Sequence, residues 1–260
     1  MSGILEQKRL LVTGVVTDDS IAHAVAAAAL REGAELLLTS FDRDRERTEA
    51  TAELLAKEAD VRLEVLELDV TRPEHFDRLR DEVAERWGRL DGALHAVAFA
   101  PRAALSGRFV DGDLESAQRA FATSTWSYAA LARVLADLAP PSGGSIVGLD
   151  FDAAGAWPVY NWMGVCKAGL ESASRYVARD LGPRGIRSNL VAAGPLHTRA
   201  ASGIADFDQL TGAWDARSPM RWDTTDPAPV ADAVVFLLSD LARAVSGEIL
   251  HVDGGYHAMA

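Results

Sequence analysis

Cysteine is almost missing from this chain. Its 260 residues include one, Cys166, so no internal disulfide can form and no oxidising compartment is required. Positive charge is scarce: 26 Lys and Arg stand against 38 Asp and Glu, a formal net charge of −12. A field of that sign opposes proteins that clamp nucleic acid or anionic membrane. Long apolar runs are absent too. The longest, Ala24 to Leu30, has seven residues, whereas crossing a bilayer takes ~18. Glu6, Lys8 and Arg9 interrupt the start before a signal-peptide core can form, so a cytoplasmic location is expected. The GxGxxG and GxSxG motifs are both missing. The histidines at 23, 75, 95, 197, 251 and 257 form no ligand pair at helical spacing, so neither a metal nor a hydrolase triad is expected.

What is present is an ordinary globular balance, 48% hydrophobic and 25% charged. Strand-like and helix-like segments alternate throughout. Strands are read at Arg9–Thr13, Ala34–Thr39, Val61–Leu68, Gly92–Ala100, Gly144–Leu149, Ser188–Ala193 and Gly247–Val252. Helices are read at Ser20–Leu30, Arg43–Glu58, Asp113–Ala139, Trp157–Leu181 and Pro227–Asp240. Another follows a capping box at Thr71-Arg-Pro-Glu74, with Phe76, Leu79, Val83 and Trp87 on one face. Strands separated by helices need crossover connections and a parallel sheet. The expectation is one doubly wound Rossmann-type α/β domain over 1–260, with seven parallel strands and helices on both faces. In such sheets ligands bind beyond the carboxyl ends of the strands.

Several strand ends carry chemistry. Gly14 after the first strand permits close backbone approach to a pyrophosphate, and the following helix offers free N–H groups; a purely structural turn fits equally. Ser20 can cap that helix or donate to phosphate. After the second strand, Phe41 can stack on adenine or belong to the core. Asp42 suits ribose hydroxyls and Arg43 suits a 2′-phosphate, which leaves NADH and NADPH both open. Asp69 can accept from an adenine amine or hold a turn. Tyr160 and Lys167 have six residues between them, about two helical turns, which would put both on one face. A nearby ammonium lowers the cost of charge on a phenol, and the hydroxyl can polarise a carbonyl. His95 and Cys166 read as structural residues of the interior.

These segments resemble the enoyl-acyl-carrier-protein reductases of the short-chain dehydrogenase/reductase superfamily, particularly the NADH-dependent actinobacterial type. The likeness runs nearly end to end. It rests on Thr13-Gly14 with Ser20-Ile21-Ala22, Leu68-Asp69-Val70, His95 to Pro101, Gly144 to Phe151, the Tyr160–Lys167 spacing, Arg187 to Pro195 and Val252-Asp-Gly-Gly255. The superfamily more often leaves three residues between the tyrosine and the lysine. The resemblance implies that Tyr160 hydrogen-bonds a thioester carbonyl, that Lys167 holds the nicotinamide ribose and that Phe151 lies beside both. It implies NAD contacts at Gly14, Val15, Ser20, Ile21, Phe41, Asp69, Val70, Ala96, Val97, Ala98, Lys167, Gly194, Pro195, Leu196 and Thr198, with NADH favoured. Substrate contacts fall on Phe99, Tyr160, Met163, Ile204 and Phe207.

The resemblance also implies an enoyl substrate on acyl carrier protein, a homotetramer, and a substrate lid over about 198–217. That lid is shorter than in long-chain relatives, so a less enclosed channel for short or medium acyl chains is expected. Arg199, Arg217 and Arg221 are candidates for docking the acidic carrier. Ala96 and Ala98 depart from the family's usual serine and glycine. They leave room for a divergent paralogue reducing another enone or ketone, or for a non-catalytic cofactor-binding protein.

Overall fold

The computed structural model describes residues 3–259. Its β1 (Arg9–Thr13), β2 (Glu35–Ser40), β3 (Glu64–Glu67), β4 (Gly92–His95), β5 (Gly144–Asp150), β6 (Ile186–Ala193) and β7 (Ile249–Val252) form one sheet, all pairs parallel, in the order β3-β2-β1-β4-β5-β6-β7. The order reverses between β1 and β4, which places a crevice beyond their carboxyl ends.

The strands alternate sides with period two, and each side fills its own core. Leu10 and Val12 of β1, Leu36 and Leu38 of β2, and Val147 of β5 face α1 (Ile21–Arg31) and α9 (Ala228–Leu238). Leu11, Leu37, Ala93 and Ile146 face the other way, toward α3 (Pro73–Trp87) and α6 (Ser127–Leu138). Leu11 pairs in register with Leu37 on one side and Ala93 on the other. Among the remaining helices, α2 (Arg45–Ala59) runs between β2 and β3, α4 (Arg102–Leu105) and α5 (Leu114–Phe121) lie between β4 and β5, α7 (Asn161–Leu181) follows β5, and α8 (Asp208–Arg217) lies in the lid.

The structure corrects the sequence reading in several elements. The third strand spans Glu64–Glu67 rather than Val61–Leu68. The fourth strand stops at His95 rather than Ala100, because the Ala96 amide turns aside to the Thr13 hydroxyl at 2.9 Å. The long helix expected over 113–139 is interrupted by a π-turn at Ala122–Trp126. There Ser124 bonds both Phe99 backbone groups and Thr125 donates to the Cys166 carbonyl at 2.7 Å, so contacts with β4's loop and α7 select the wider turn. The Thr71 capping box does not form. Its hydroxyl and amide both donate to Asp69 Oδ1, at 2.7 and 2.9 Å, and the helix begins instead at Pro73, whose missing N–H costs nothing there. The helix carrying Lys167 begins at Asn161 rather than Trp157.

Candidate active site

The end of β5 delivers Asp150 and Phe151 to the crevice, and the chain then loops back through Tyr160 into α7. Val159 at φ 55° and Asn161 at φ 36° flank Tyr160. Two left-handed residues in so short a stretch store strain of order 1–3 kcal/mol each. Tyr160 therefore sits at the mouth of the helix, at its N-cap, and Lys167 lies in the second turn. Both are buried, with Tyr160 just ahead of the regular helix and Lys167 within it.

Lys167 Nζ donates to the Leu149 carbonyl at 2.8 Å. Asp150 is buried with neither carboxylate oxygen hydrogen-bonded among the described residues, and its charge reaches both Lys167 and Tyr160. Burial pushes its carboxyl up to about 7, while the Lys167 ammonium pulls the other way. Burial likewise lowers Lys167, and Asp150 resists that fall. Tyr160 is raised above the ordinary phenol value, first by burial and then by Asp150 and Cys166. This corrects the expectation that the lysine makes the phenol more acidic. The Tyr160 hydroxyl accepts and donates no hydrogen bond among the described residues, so it is a protonated donor free for a ligand.

His95 lies below, at the end of β4. Ser127 gives its proton to the Thr123 carbonyl at 2.6 Å, so His95 donates from Nε2 to the Ser127 oxygen at 2.7 Å. Nδ1 is then a buried acceptor without a partner, and burial holds the ring neutral, at about 3. Cys166 is buried, with its thiol pushed up to about 11, an inert filler as expected. Asp150 is the residue that sequence reasoning passed over. Its signal was a carboxylate closing an otherwise apolar strand just before Phe151.

The residues expected to hold a dinucleotide lie around β1 and β4. Gly14 has φ +82°, and a Cβ there would stand 2.2 Å from the Ala96 carbonyl oxygen, so only glycine permits this turn. The backbone of residue 96 makes that contact, and the Ala96 Cβ would stand 3.2 Å away. Ser20 caps α1, accepting from His23 N at 3.1 Å and donating to the Thr17 carbonyl at 2.7 Å. The capping leaves the N–H groups of Ile21 and Ala22 at the positive end of the helix for an anion. Val15 is core. Phe41 lies half-buried under the Arg43 guanidinium at 5.3 Å. Asp69 holds the Thr71 turn, and Val70 beside it is buried. Val97 is half-buried, and Ala98 and Phe99 are exposed. A Cβ on Gly194 would meet Trp222 at 2.7 Å. Pro195 accepts from the Trp222 indole at 2.8 Å, Leu196 is buried, and Thr198 caps Ala201 at 3.2 Å. A groove of about 400 Å³ between Asp19, His197, Thr198 and Phe207 runs from this side to the lid. A glycine cradle, an anion-binding helix end and a buried ammonium beside an unpaired carboxylate fit a dinucleotide.

The segment expected to form a lid is packed against the site. Leu210 and Trp214 are buried in one cluster with Phe151, Tyr160 and Met163, and Ile204 and Phe207 pack against it. Phe99, expected among the substrate contacts, lies outside this cluster under Arg119 at 5.3 Å.

A parallel sheet of this order, with a buried tyrosine and lysine at its carboxyl edge, is the architecture of short-chain dehydrogenase/reductases. A family model described as enoyl-(acyl carrier protein) reductase matches residues 14–257. The chain is 42% identical over 269 residues to the NADH enoyl-acyl-carrier-protein reductase of Mycolicibacterium smegmatis, covering 98% of each chain. Against the Escherichia coli counterpart it is 38% identical over 261 residues, covering 99% of this chain and 97% of the other. The crystal structure of the Anaplasma phagocytophilum enoyl-acyl-carrier-protein reductase in complex with NAD superposes with a TM-score of 0.90 at 39% identity, covering 99% of this chain and 97% of that one. The chain belongs to the enoyl-acyl-carrier-protein reductase family.

The Asp150 carboxyl makes a testable pH signature. A folded-state value of about 7 against an ordinary 3.8 means that the folded chain binds this proton more tightly than the unfolded chain. The resulting stabilisation is complete below about pH 4 and disappears as pH rises through about 7. Infrared spectra should show a protonated carboxyl at pH 6 that vanishes by pH 8 and is missing from Asp150→Asn. Its absence from the wild type at pH 6 would mean an ionised Asp150.

Proposed function

We propose that this protein reduces the trans-2 double bond of an enoyl thioester with NADH, and that Tyr160 and Lys167 carry the reaction. The supporting observation is a protonated phenol without a partner, buried beside Phe151 and Lys167 beneath an apolar lid. When bound, the reduced nicotinamide supplies a hydride to the β-carbon. Tyr160 donates a hydrogen bond to the thioester carbonyl and holds the negative charge that develops on that oxygen. Such help is worth most when it is stronger in the transition state than in the ground state. Burial raises the Tyr160 pKa, which keeps the phenol protonated and a donor throughout. Lys167 holds the cofactor ribose, with Asp150 as its counter-charge. Phe151 walls the nicotinamide side and excludes water. The proton that completes the reduction is taken from solvent at the α-carbon.

The site residues named around β1, β2, β4 and β6 are assigned to NAD on the same reading. Their support is the Gly14 cradle and the free α1 terminus. Met163, Ile204 and Phe207 line the acyl side. Phe41 and Asp42 favour NADH, because Arg43 is drawn over the Phe41 ring. The whole of 1–260 acts as one domain, since lid and catalytic residues share a single apolar cluster.

The substrate is carried on acyl carrier protein, and the docking surface centres on Arg199 and Arg221, which are exposed. Arg217 is excluded from it, being spent on the Tyr256 hydroxyl at 3.2 Å and the Met259 carbonyl at 2.6 Å. A homotetramer fits the exposed apolar stripe of Leu114, Phe121, Trp126 and Val165 along α5, the π-turn and α7. A second copy covering that stripe would remove it from water. No helix among the described residues is long and apolar enough to cross a membrane. A cytoplasmic setting goes with NADH as reductant.

One assay tests this reading. NADH and NADPH oxidation are compared with crotonyl and longer enoyl thioesters, on acyl carrier protein and on coenzyme A. NADH should be used, and Tyr160→Phe should lower kcat by ~10²–10³, the cost of removing one donor to a developing oxyanion, with NADH affinity nearly unchanged. Reversing Arg199 and Arg221 to Glu should slow carrier-bound substrates alone. An unchanged rate in Tyr160→Phe removes that residue from the mechanism.

A further inference from the structure

Four separate stretches of chain converge on Tyr160 with aromatic rings. Phe151 comes from the end of β5, Trp157 from the loop before α7, Trp214 from α8 and Tyr256 from the C-terminal turn. Phe151 lies 5.1 Å from the Tyr160 ring, 5.3 Å from Trp157 and 5.5 Å from Trp214. Trp157 also meets Trp214 at 5.2 Å and Tyr256 at 5.7 Å. Trp214 stacks on Tyr256 at 3.9 Å with planes 12° apart.

Each outer ring is pinned by a polar handle. The Trp157 indole N–H donates to the Asp152 carbonyl, and that of Trp214 donates to the Asp253 carbonyl at 3.1 Å. The Arg217 guanidinium lies 4.7 Å over the Tyr256 ring. The two backbone segments are also laced together. Asp152 pairs with His251 at 3.3 Å, His251 stacks on His257 at 4.0 Å, and His257 pairs with Asp253 at 3.1 Å. Within 154–158 every residue is exposed except Trp157, which alone turns inward. Its ring is therefore a fixed wall, held at its edge and on its faces. The grooves at α5–α7 and at His197 do not have Phe151, Trp157 or Tyr160 in their lining.

A thioester whose carbonyl meets the Tyr160 hydroxyl must lay its acyl tail inside this same apolar cluster. Met163 of α7 and Ile204 offer flexible walls to that tail, whereas Trp157, clasped by Phe151, Trp214 and Tyr256, offers a closed one. We propose that Trp157 determines acyl-chain specificity by closing the far end of the acyl path, so that chains beyond medium length have no space; this rests on the enoyl-thioester reading. The restriction arises from a filled wall, and not from the length of the lid. In an apolar pocket one methylene too many shifts kcat/KM by ~10–200-fold, so one bulky indole is enough to set a cut-off.

The test is kcat/KM for NADH-dependent reduction of enoyl thioesters of four, eight, twelve and sixteen carbons by wild type, Trp157→Ala and Trp157→Phe, with NADH affinity measured in parallel. Wild-type activity should fall sharply between eight and twelve carbons. In Trp157→Ala the twelve-to-four-carbon ratio should rise by at least about tenfold, with NADH affinity preserved and Trp157→Phe intermediate. If Trp157→Ala does not fold, Trp157→Leu carries the same expectation. An unchanged ratio in folded variants overturns the inference and leaves the enoyl-reductase reading standing. A wild type that reduces none of the series, while still binding NADH, overturns both.

Discussion

The ammonium of Lys167 is 6% exposed, and its one hydrogen bond among the described residues goes to the Leu149 carbonyl. Removing a charge from water to that degree demands a compensating partner. Among the described residues, the opposite charge that this group feels most is that of Asp150. Asp150 is itself buried with no donor of its own. Each therefore depends on the other to stay ionised, and burial pushes both toward neutrality. The same desolvation acts on Tyr160, whose phenol is held in its protonated form. One feature of the interior thus sets the charge state of all three groups at the end of β5.

The fold explains why these groups meet. A parallel sheet sends every strand's carboxyl end to the same edge, and β5 sits between β4 and β6, buried on both sides. Asp150 emerges there because β5 runs one residue beyond its apolar stretch. Lys167 arrives from above because the left-handed residues around Tyr160 turn the chain sharply into α7. The π-turn grips that helix through Thr125 and the β4 loop through Ser124, so α7 and the loop carrying Ala96 to Phe99 are held by one element. The Gly14 turn and the Tyr160 phenol consequently share one frame.

Much of this was legible in the residues. Apolar runs of five to eight residues mark strands of a buried sheet, and all seven were found, with only β3 and β4 noticeably misjudged in length. Gly14, Phe151, Tyr160 and Lys167 were identified from strand-end position, spacing and resemblance. The errors share a physical origin. Thr71 prefers Asp69 over a helix cap, the π-turn exists because of partners far away in sequence, and a β-branched Val159 at positive φ is not expected of any local pattern. Asp150 was missed for the same reason. Nothing in Leu149-Asp-Phe151 reveals that a lysine from the next helix will be buried against it. The rings of Trp157, Trp214 and Tyr256 likewise become a wall only once the lid and the C-terminal turn have docked.

The central claim is that Tyr160 works as a buried, protonated donor and not as a phenolate. Ultraviolet difference titration of wild type against Tyr160→Phe measures this directly. No phenolate from Tyr160 should appear up to pH 10, the ordinary midpoint for tyrosine. A phenolate signal from Tyr160 at pH 8 or 9 would contradict the account, because Lys167 would then be lowering the phenol's pKa more than burial raises it.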